Sequence, residues 1–407
     1  MKKIRVICLF VLFALIAQTM FIFAFTTRGL DMIYPLVRRF TSESVEIADN
    51  SYVEYYNVTA DVSEAEIIVI GADKGISQTY FVLSDFLRYI KRNVNVSAVA
   101  LEIGEAETVI INDCIYAADD VEFNRKIVKL EGLDGMSMEY MSFVEALYKI
   151  NRTMPPDKKL TVYGIGLDSS AEIICESVDE AIKHLYADLG GSYKYYLKSR
   201  MIDEFVDYFY TDAPSKTEIF GELYDQIKQI CDEYDVQRKM GRNTDASLHR
   251  LLGIAADKSG GRLLTVVDSD RLAYGAEFRN LLETGINNSL KVLMTELRYN
   301  NCFYNETAEN GETVEKNDLY FPVFTDDVAV HLVRKKAMAG FTDYYTSVTK
   351  KTNEENDREF EFYLVISNSD GMTPYVAGEY EARVDVPSEN QNETQDTDGE
   401  INEAAEE

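Results

Sequence analysis

Through the first half of the chain, short apolar runs alternate with amphipathic segments. Residues 66–71, EIIVIG, form an unbroken β-branched run closed by glycine, the pattern of a strand buried on both faces. The following segment sets Tyr80, Leu83, Leu87 and Ile90 at three- and four-residue steps, which predicts a helix with one apolar face. VSAVALEIG (96–104) and LTVYGIGLD (160–168) repeat the strand pattern. Between them, EYMSFVEALYKINRTMPPDKK predicts a helix stopped at Pro155 and Pro156. From about 176 to 300 the pattern is mostly helical, and GRLLTVVD (261–268) reads either as a further strand or as part of that helical insertion. FEFYLVISNS (360–369) predicts a late strand, and HLVRKKAMAGFTDYY (331–345) a helix with a basic face.

Strands alternating with helices predict an α/β class, with a largely parallel central sheet flanked by helices and carrying a helical insertion. In such sheets ligands sit beyond the carboxyl ends of the strands. Gly71–Gly75, Glu102 and Gly164–Ser169 are therefore expected to face one crevice.

The two ends of the chain read differently from its body. Lys2, Lys3 and Arg5 precede an uncharged apolar run from Val6 to Phe25. About 20 residues is enough to cross the hydrocarbon core and longer than a usual secretory signal core. An uncleaved single-pass anchor is expected, with the rest of the chain outside the cytoplasm. A cleaved signal and a secreted protein form the alternative. The organisation expected is an anchor or signal at 1–27, a polar connector at 28–62, an α/β domain at 63–384 with its insertion at about 176–300, and an acidic, disordered tail at 385–407.

Composition narrows the function. With 41 basic against 70 acidic residues the net charge is -29, which argues against nucleic acid and against anionic lipid as partners. The hydrophobic fraction of 46% supplies a sizeable core. Cys114, Cys175, Cys231 and Cys302 are widely separated, so buried free thiols are expected rather than a zinc site. The three histidines, His184, His249 and His331, lie far from one another, and no G-x-S-x-G elbow or phosphate-cradling loop is present. No metal and no cofactor are expected. The candidate site residues are Asp73 and Lys74 in the first loop, Glu102 and Asp168 at strand ends, and Arg334 as an anion clamp. A solvated strand end is the competing reading of Glu102, and a charged surface helix that of Arg334.

Taken together, these segments resemble the erythromycin esterase-like family. That family opens with a strand, a G-E-x-H-G loop and a helix, here VIGADKGISQTYFVLSDFLRYIKR. A strand ending in glutamate follows, here AVALEIG with Glu102. Next come a helix, a P-x-D-K-K turn and a G-I-D-x-x-H strand, here NRTMPPDKKLTVYGIGLDSS. RKKAMAGF stands where the family has its R-E-x-x-M-x-x-N-F helix, and FYLVISNSDGMTP resembles its closing strand. The resemblance runs from about residue 60 to 376 and implies a small-ligand hydrolase with a site rich in His and Glu.

The departures from that pattern fall on the chemistry. The family's first-loop Glu and His correspond to Ala72 and Lys74. The third-loop Asp-x-x-His falls on Gly166 and Ser169, and the late-helix Glu and Asn on Lys335 and Gly340. TKKTNEENDRE replaces a glycine-histidine segment. Glu102, Arg334, Gly71, Gly75 and Gly164 are retained. General-base chemistry at neutral pH needs a titratable group that these substitutions remove. The resemblance therefore implies a degenerate member acting as a binding or interaction module for a small molecule or a protein, with Lys74 and Glu102 pairing across the crevice. The alternative is a hydrolase of a small ester-type substrate using a rearranged site around Glu102, Asp73 and Arg334.

Overall fold

Successive side chains of a strand point to opposite faces, and here both faces are apolar. Ile67 and Val69 enter one core while Ile68 and Ile70 enter another, all essentially inaccessible. An unbroken β-branched run is therefore what a central parallel strand needs. The computed structural model describes residues 42–45, 59–130, 137–166, 171–240, 244–273, 275–286, 290–300, 302–305, 313–316, 330–334, 360, 362–367, 369 and 371. The apolar run at 6–25 and the acidic tail lie outside them. No helix among the described residues is long and apolar enough to cross a membrane.

The sheet contains β1 (Ser42–Val45), β2 (Ile67–Ala72), β3 (Val96–Leu101), β4 (Thr161–Gly164), β5 (Arg262–Asp268), β6 (Val292–Asn300), β9 (Val330–Arg334) and β10 (Phe362–Ser367). The hairpin β7 (Cys302–Asn305) and β8 (Thr313–Lys316) stands apart. The strand order is β1-β9-β10-β6-β2-β5-β3-β4. From β10 to β4 every pairing is parallel, and β9 and β1 continue the sheet antiparallel.

Helices cover both faces. On one lie α1 (Thr59–Glu64), α2 (Ser77–Val94), α3 (Glu105–Ile115), α4 (Asp120–Ile127) and α5 (Met138–Arg152), packed by residues such as Phe86, Ile111, Phe123 and Phe143. The helix expected after β2 thus forms, and its apolar stripe is the face it buries. Tyr80, Leu83, Leu87 and Ile90 all lie in this core. A separate apolar cluster is built by α6 (Ala171–Ile182), α7 (Gly191–Lys198), α8 (Ile202–Asp212) and α9 (Leu223–Met240), with Tyr193, Phe205 and Phe209 at its centre. On the other face lie α10 (Asp245–Ser259) and α11 (Glu277–Thr284).

Two expectations are corrected. The helical stretch read as running to about 300 is interrupted, because residues 262–268 and 292–300 are central strands. β5 lies between β2 and β3, where a short β-branched run buried on both sides belongs. Residues 331–334 are strand rather than helix: Leu332 and Val333 pair with Leu364 and Tyr363. The remainder of that segment, 335–345, lies outside the described residues. Cys114, Cys175, Cys231 and Cys302 are all free and buried.

The free edge of the sheet is closed by side-chain amides. Ile165 N–H donates to Leu101 O, so at period two Leu160 and Val162 turn their backbone groups outward. Asn112 of α3 accepts from Val162 N–H at 2.9 Å and donates to its carbonyl at 2.8 Å. Asn151 of α5 does the same for Leu160, at 2.6 and 2.9 Å. Each amide supplies the donor and acceptor that a neighbouring strand would have supplied.

Candidate functional site

Parallel pairing brings the carboxyl ends of β2, β5 and β3 side by side. Asp73 directly follows β2 and is 5% exposed. Its N–H donates to Tyr299 Oη at 2.9 Å, and its carbonyl accepts from Thr79 Oγ1 at 2.8 Å. Tyr299 and Thr79 are themselves 3.0 Å apart through their hydroxyls. The Asp73 carboxylate accepts from Ser269 Oγ. A single 3₁₀ turn, Ser269–Leu272, folds from the end of β5 back over the end of β2. Gly71 lets it approach, since a Cβ there would stand 3.3 Å from Ser269 Cα and 3.2 Å from Leu272 Cδ1.

Glu102 directly follows β3, with a side chain only 7% exposed. Its Oε1 accepts from Arg271 Nε at 3.2 Å and Nη2 at 2.9 Å, and its Oε2 from Asp268 N–H at 2.9 Å. Arg271 Nη1 reaches Asp245 Oδ1, in the first turn of α10, at 2.6 Å. Asp245 Oδ2 in turn accepts the N–H of Phe278 at 3.0 Å, which ties α10 to α11. Burial opposes the charge on Arg271, but Glu102 and Asp245 outweigh it and raise its pKa above the ordinary value. Asp268 is also raised, first by burial and then by Glu102, while the Asp270 N–H and Lys74 pull the other way. On β6, where Glu296 is in register with Gly71 of β2, Glu296 and Arg298 form a buried ion pair at 2.5 Å.

The structure brings together three of the expected residues, Asp73, Lys74 and Glu102, around the end of β5. It does not form the expected pair between Lys74 and Glu102. Strands lie about 4.8 Å apart, so the ends of β2 and β3, with β5 between them, are separated by roughly twice that. Arg271, on the turn leaving the intervening strand, takes Glu102 instead, and the half-buried Lys74 acts on Asp268. Arg334 is also displaced from its expected role. In register it faces Phe362, the first residue of β10. That is the amino end of the parallel strands, about 17 Å from their carboxyl ends over six residues, so Arg334 is no anion clamp in the crevice. Asp168 lies outside the described residues, as does TKKTNEENDRE.

The residues missed by the sequence reading are Asp268, Ser269 and Arg271, with Asp245 and Tyr299 behind them. VVDSDR carries the same signal as AVALE, an apolar run ending in an acid, but it was hidden while 261–268 could be read as helix. Gly166 has a packing reason to be glycine. A Cβ there would lie 2.6 Å from the carbonyl carbon of Glu102 and 2.8 Å from Ile103 N. Of the histidines, His184 is exposed in the insertion. His249 is lowered by burial, which a hydrogen bond with the Gly285 backbone opposes. No group of three or more His, Cys, Asp or Glu among the described residues is placed to hold a metal ion.

No family profile and no curated protein matches the chain. Solved structures do. A Bacillus cereus protein superposes with a TM-score of 0.57 at 10% identity, over 85% of this chain and 99% of its own. A succinoglycan biosynthesis protein gives 0.57 at 11% identity, over 84% and 99%. A mutant of the erythromycin esterase EreC in its open conformation gives 0.51 at 10% identity, over 83% and 99%. The fold is erythromycin esterase-like. At these identities the likeness concerns the backbone architecture, and what the strand ends do is argued from their own side chains.

Proposed function

We propose that the chain is a membrane-anchored, extracytoplasmic binding module on an erythromycin esterase-like scaffold, degenerate as a hydrolase. The observation that carries this reading is the use made of Glu102. A general base must be free to take a proton from a bound nucleophile. Here both carboxylate oxygens are engaged, one by the Arg271 guanidinium and the other by the Asp268 N–H. The loops at 71–76, 102–104 and 268–276 contain no histidine to take over the role. A guanidinium held between two carboxylates and an Asp73 tied to Ser269 form a network suited to fixing the strand ends. The anchor rests on the run from Val6 to Phe25.

The test runs an ester panel and an unbiased small-molecule binding screen on the full chain. Binding without turnover is expected. Ester hydrolysis that disappears in a folded Glu102→Gln variant would overturn the reading and make Glu102 catalytic. Mass measurement of the mature protein tests the anchor, and a new N-terminus close to Phe25 would replace it with a secreted form.

A further inference from the structure

α10 and α11 pack against each other on one face of the sheet, through Leu248, Leu252, Phe278, Leu282 and Ile286. α11 stops at Gly285, whose φ of 97° suits glycine and strains any other residue. The Gly285 N–H donates to Leu282 O at 3.0 Å, and its backbone takes a hydrogen bond from the ring of His249 on α10. The Nε2 atom of that ring is buried and has no hydrogen-bond partner. Neutral imidazole carries one N–H and one lone pair, so Nε2 can sit there bare. Imidazolium carries an N–H on both nitrogens, which would bury a charge and a donor with no acceptor.

We propose that His249 is an acid-sensitive latch on the α10–α11 contact: neutral, it holds the Gly285 turn, and taking up a proton opens that contact. The charged groups on the surrounding elements are committed elsewhere. Asp245, one turn earlier on α10, is held by Arg271 and the Phe278 N–H. On α11, Arg279 pairs with Glu283 at 3.0 Å and reaches Leu272 O, while Glu277, like Arg250 on α10, is exposed. Glu296 and Arg298 on β6 pair with each other. Beneath α10 the strands present Ala100, Leu263 and Val267, and Tyr163 stays neutral because burial raises its pKa. The charges of α9 lie on the far side of α10, since Ser247, which meets Gln237 of α9, is about 200° around the helix from His249. Burial holds the His249 pKa below the ordinary value of about 6.5, with Gly285 opposing. The open form therefore takes the proton first. The latch is fully closed above that value and weakens as the pH falls below it. The contact bears on the crevice, because Asp245 holds the Phe278 N–H with one oxygen and Arg271, and through it Glu102, with the other. Opening α11 withdraws the Phe278 donor and loosens the strand-end network from outside, whatever the crevice binds.

The experiment measures hydrogen exchange of the full chain at pH 7.5 and pH 5.0, with each amide corrected for its intrinsic rate. Protection at the Phe278 and Gly285 amides should fall by at least about threefold at the lower pH, a single proton giving at most about tenfold per pH unit. His249→Gln, which keeps a donor for Gly285 and takes up no proton in this range, should remove the fall. His184→Gln, on the exposed surface of the insertion, should leave it intact. Ring resonances of the unsubstituted protein, assigned with His184→Gln and His331→Gln, decide the matter if His249→Gln does not fold: the His249 ring should titrate below about 6.5. A ring that titrates at or above that value, protection that does not change with pH, or a fall that persists in folded His249→Gln overturns the assignment.

Discussion

Replacing Arg271 with methionine tests whether the strand-end network is structural. Methionine keeps most of the apolar stem and removes the guanidinium. Glu102 is then left with the Asp268 N–H alone of its described donors, and Asp245 with the Phe278 N–H. Breaking a buried ion pair by deleting one partner costs about 3–5 kcal/mol. Here Arg271 is 22% exposed and each carboxylate keeps a backbone donor, so the loss at pH 7 should be about 2–4 kcal/mol. Urea unfolding monitored by circular dichroism measures it, with an unchanged m-value showing that the denatured state is not what moved. The pH dependence follows in sign. Protonating carboxylates that have lost their partner relieves the penalty, so the deficit should shrink from pH 7 to pH 4. Arg271→Lys should recover only part of the loss, because one ammonium cannot reproduce a fork spanning Glu102 and Asp245. A loss below about 1 kcal/mol at pH 7, or a deficit that grows as the pH falls, would refute the reasoning.

Asp268 has a raised folded pKa, so its stability contribution is complete below the unfolded value of about 4 and is lost as the pH rises through the folded value. Asp268→Asn, which keeps an acceptor for the Asp270 N–H, should therefore be near neutral at pH 3.5 and stabilising at pH 7, as thermal melts at the two pH values will show. Asn151→Leu should cost about 2–4 kcal/mol by stranding the Leu160 N–H and carbonyl, with faster hydrogen exchange at the Leu160 amide as the local signature. Gly166→Ala should destabilise by about 1–3 kcal/mol, since the added methyl meets backbone that cannot move aside cheaply. A melting temperature unchanged by that substitution would show that the third loop yields.

The sequence by itself determined the class of the protein and the order of its first strands and helices, because those rest on local periodicity. EIIVIG and VSAVAL could be buried only as central strands, LTVYG forms the edge strand beside them, and the spacing of Tyr80, Leu83, Leu87 and Ile90 could be buried only as the stripe of a helix. It also showed that the first loop and the end of β3 would face a common crevice, since parallel strands carry their following loops to one end of a sheet. What it left open was lateral order. Nothing local to LLTVV announces that β5 lies between β2 and β3, and that placement sets the chemistry of the site. It puts Arg271 within reach of Glu102, keeps Lys74 from it, and lays Ser269 against Asp73. Arg334 was misplaced for the same reason, because the end of the sheet at which a residue lies depends on whether its strand runs with its neighbour or against it. Which residues become strand is decided by neighbours in the sequence; which charges meet at these strand ends is decided by neighbours in the sheet, and β5 lies more than a hundred residues beyond the β2 and β3 it separates.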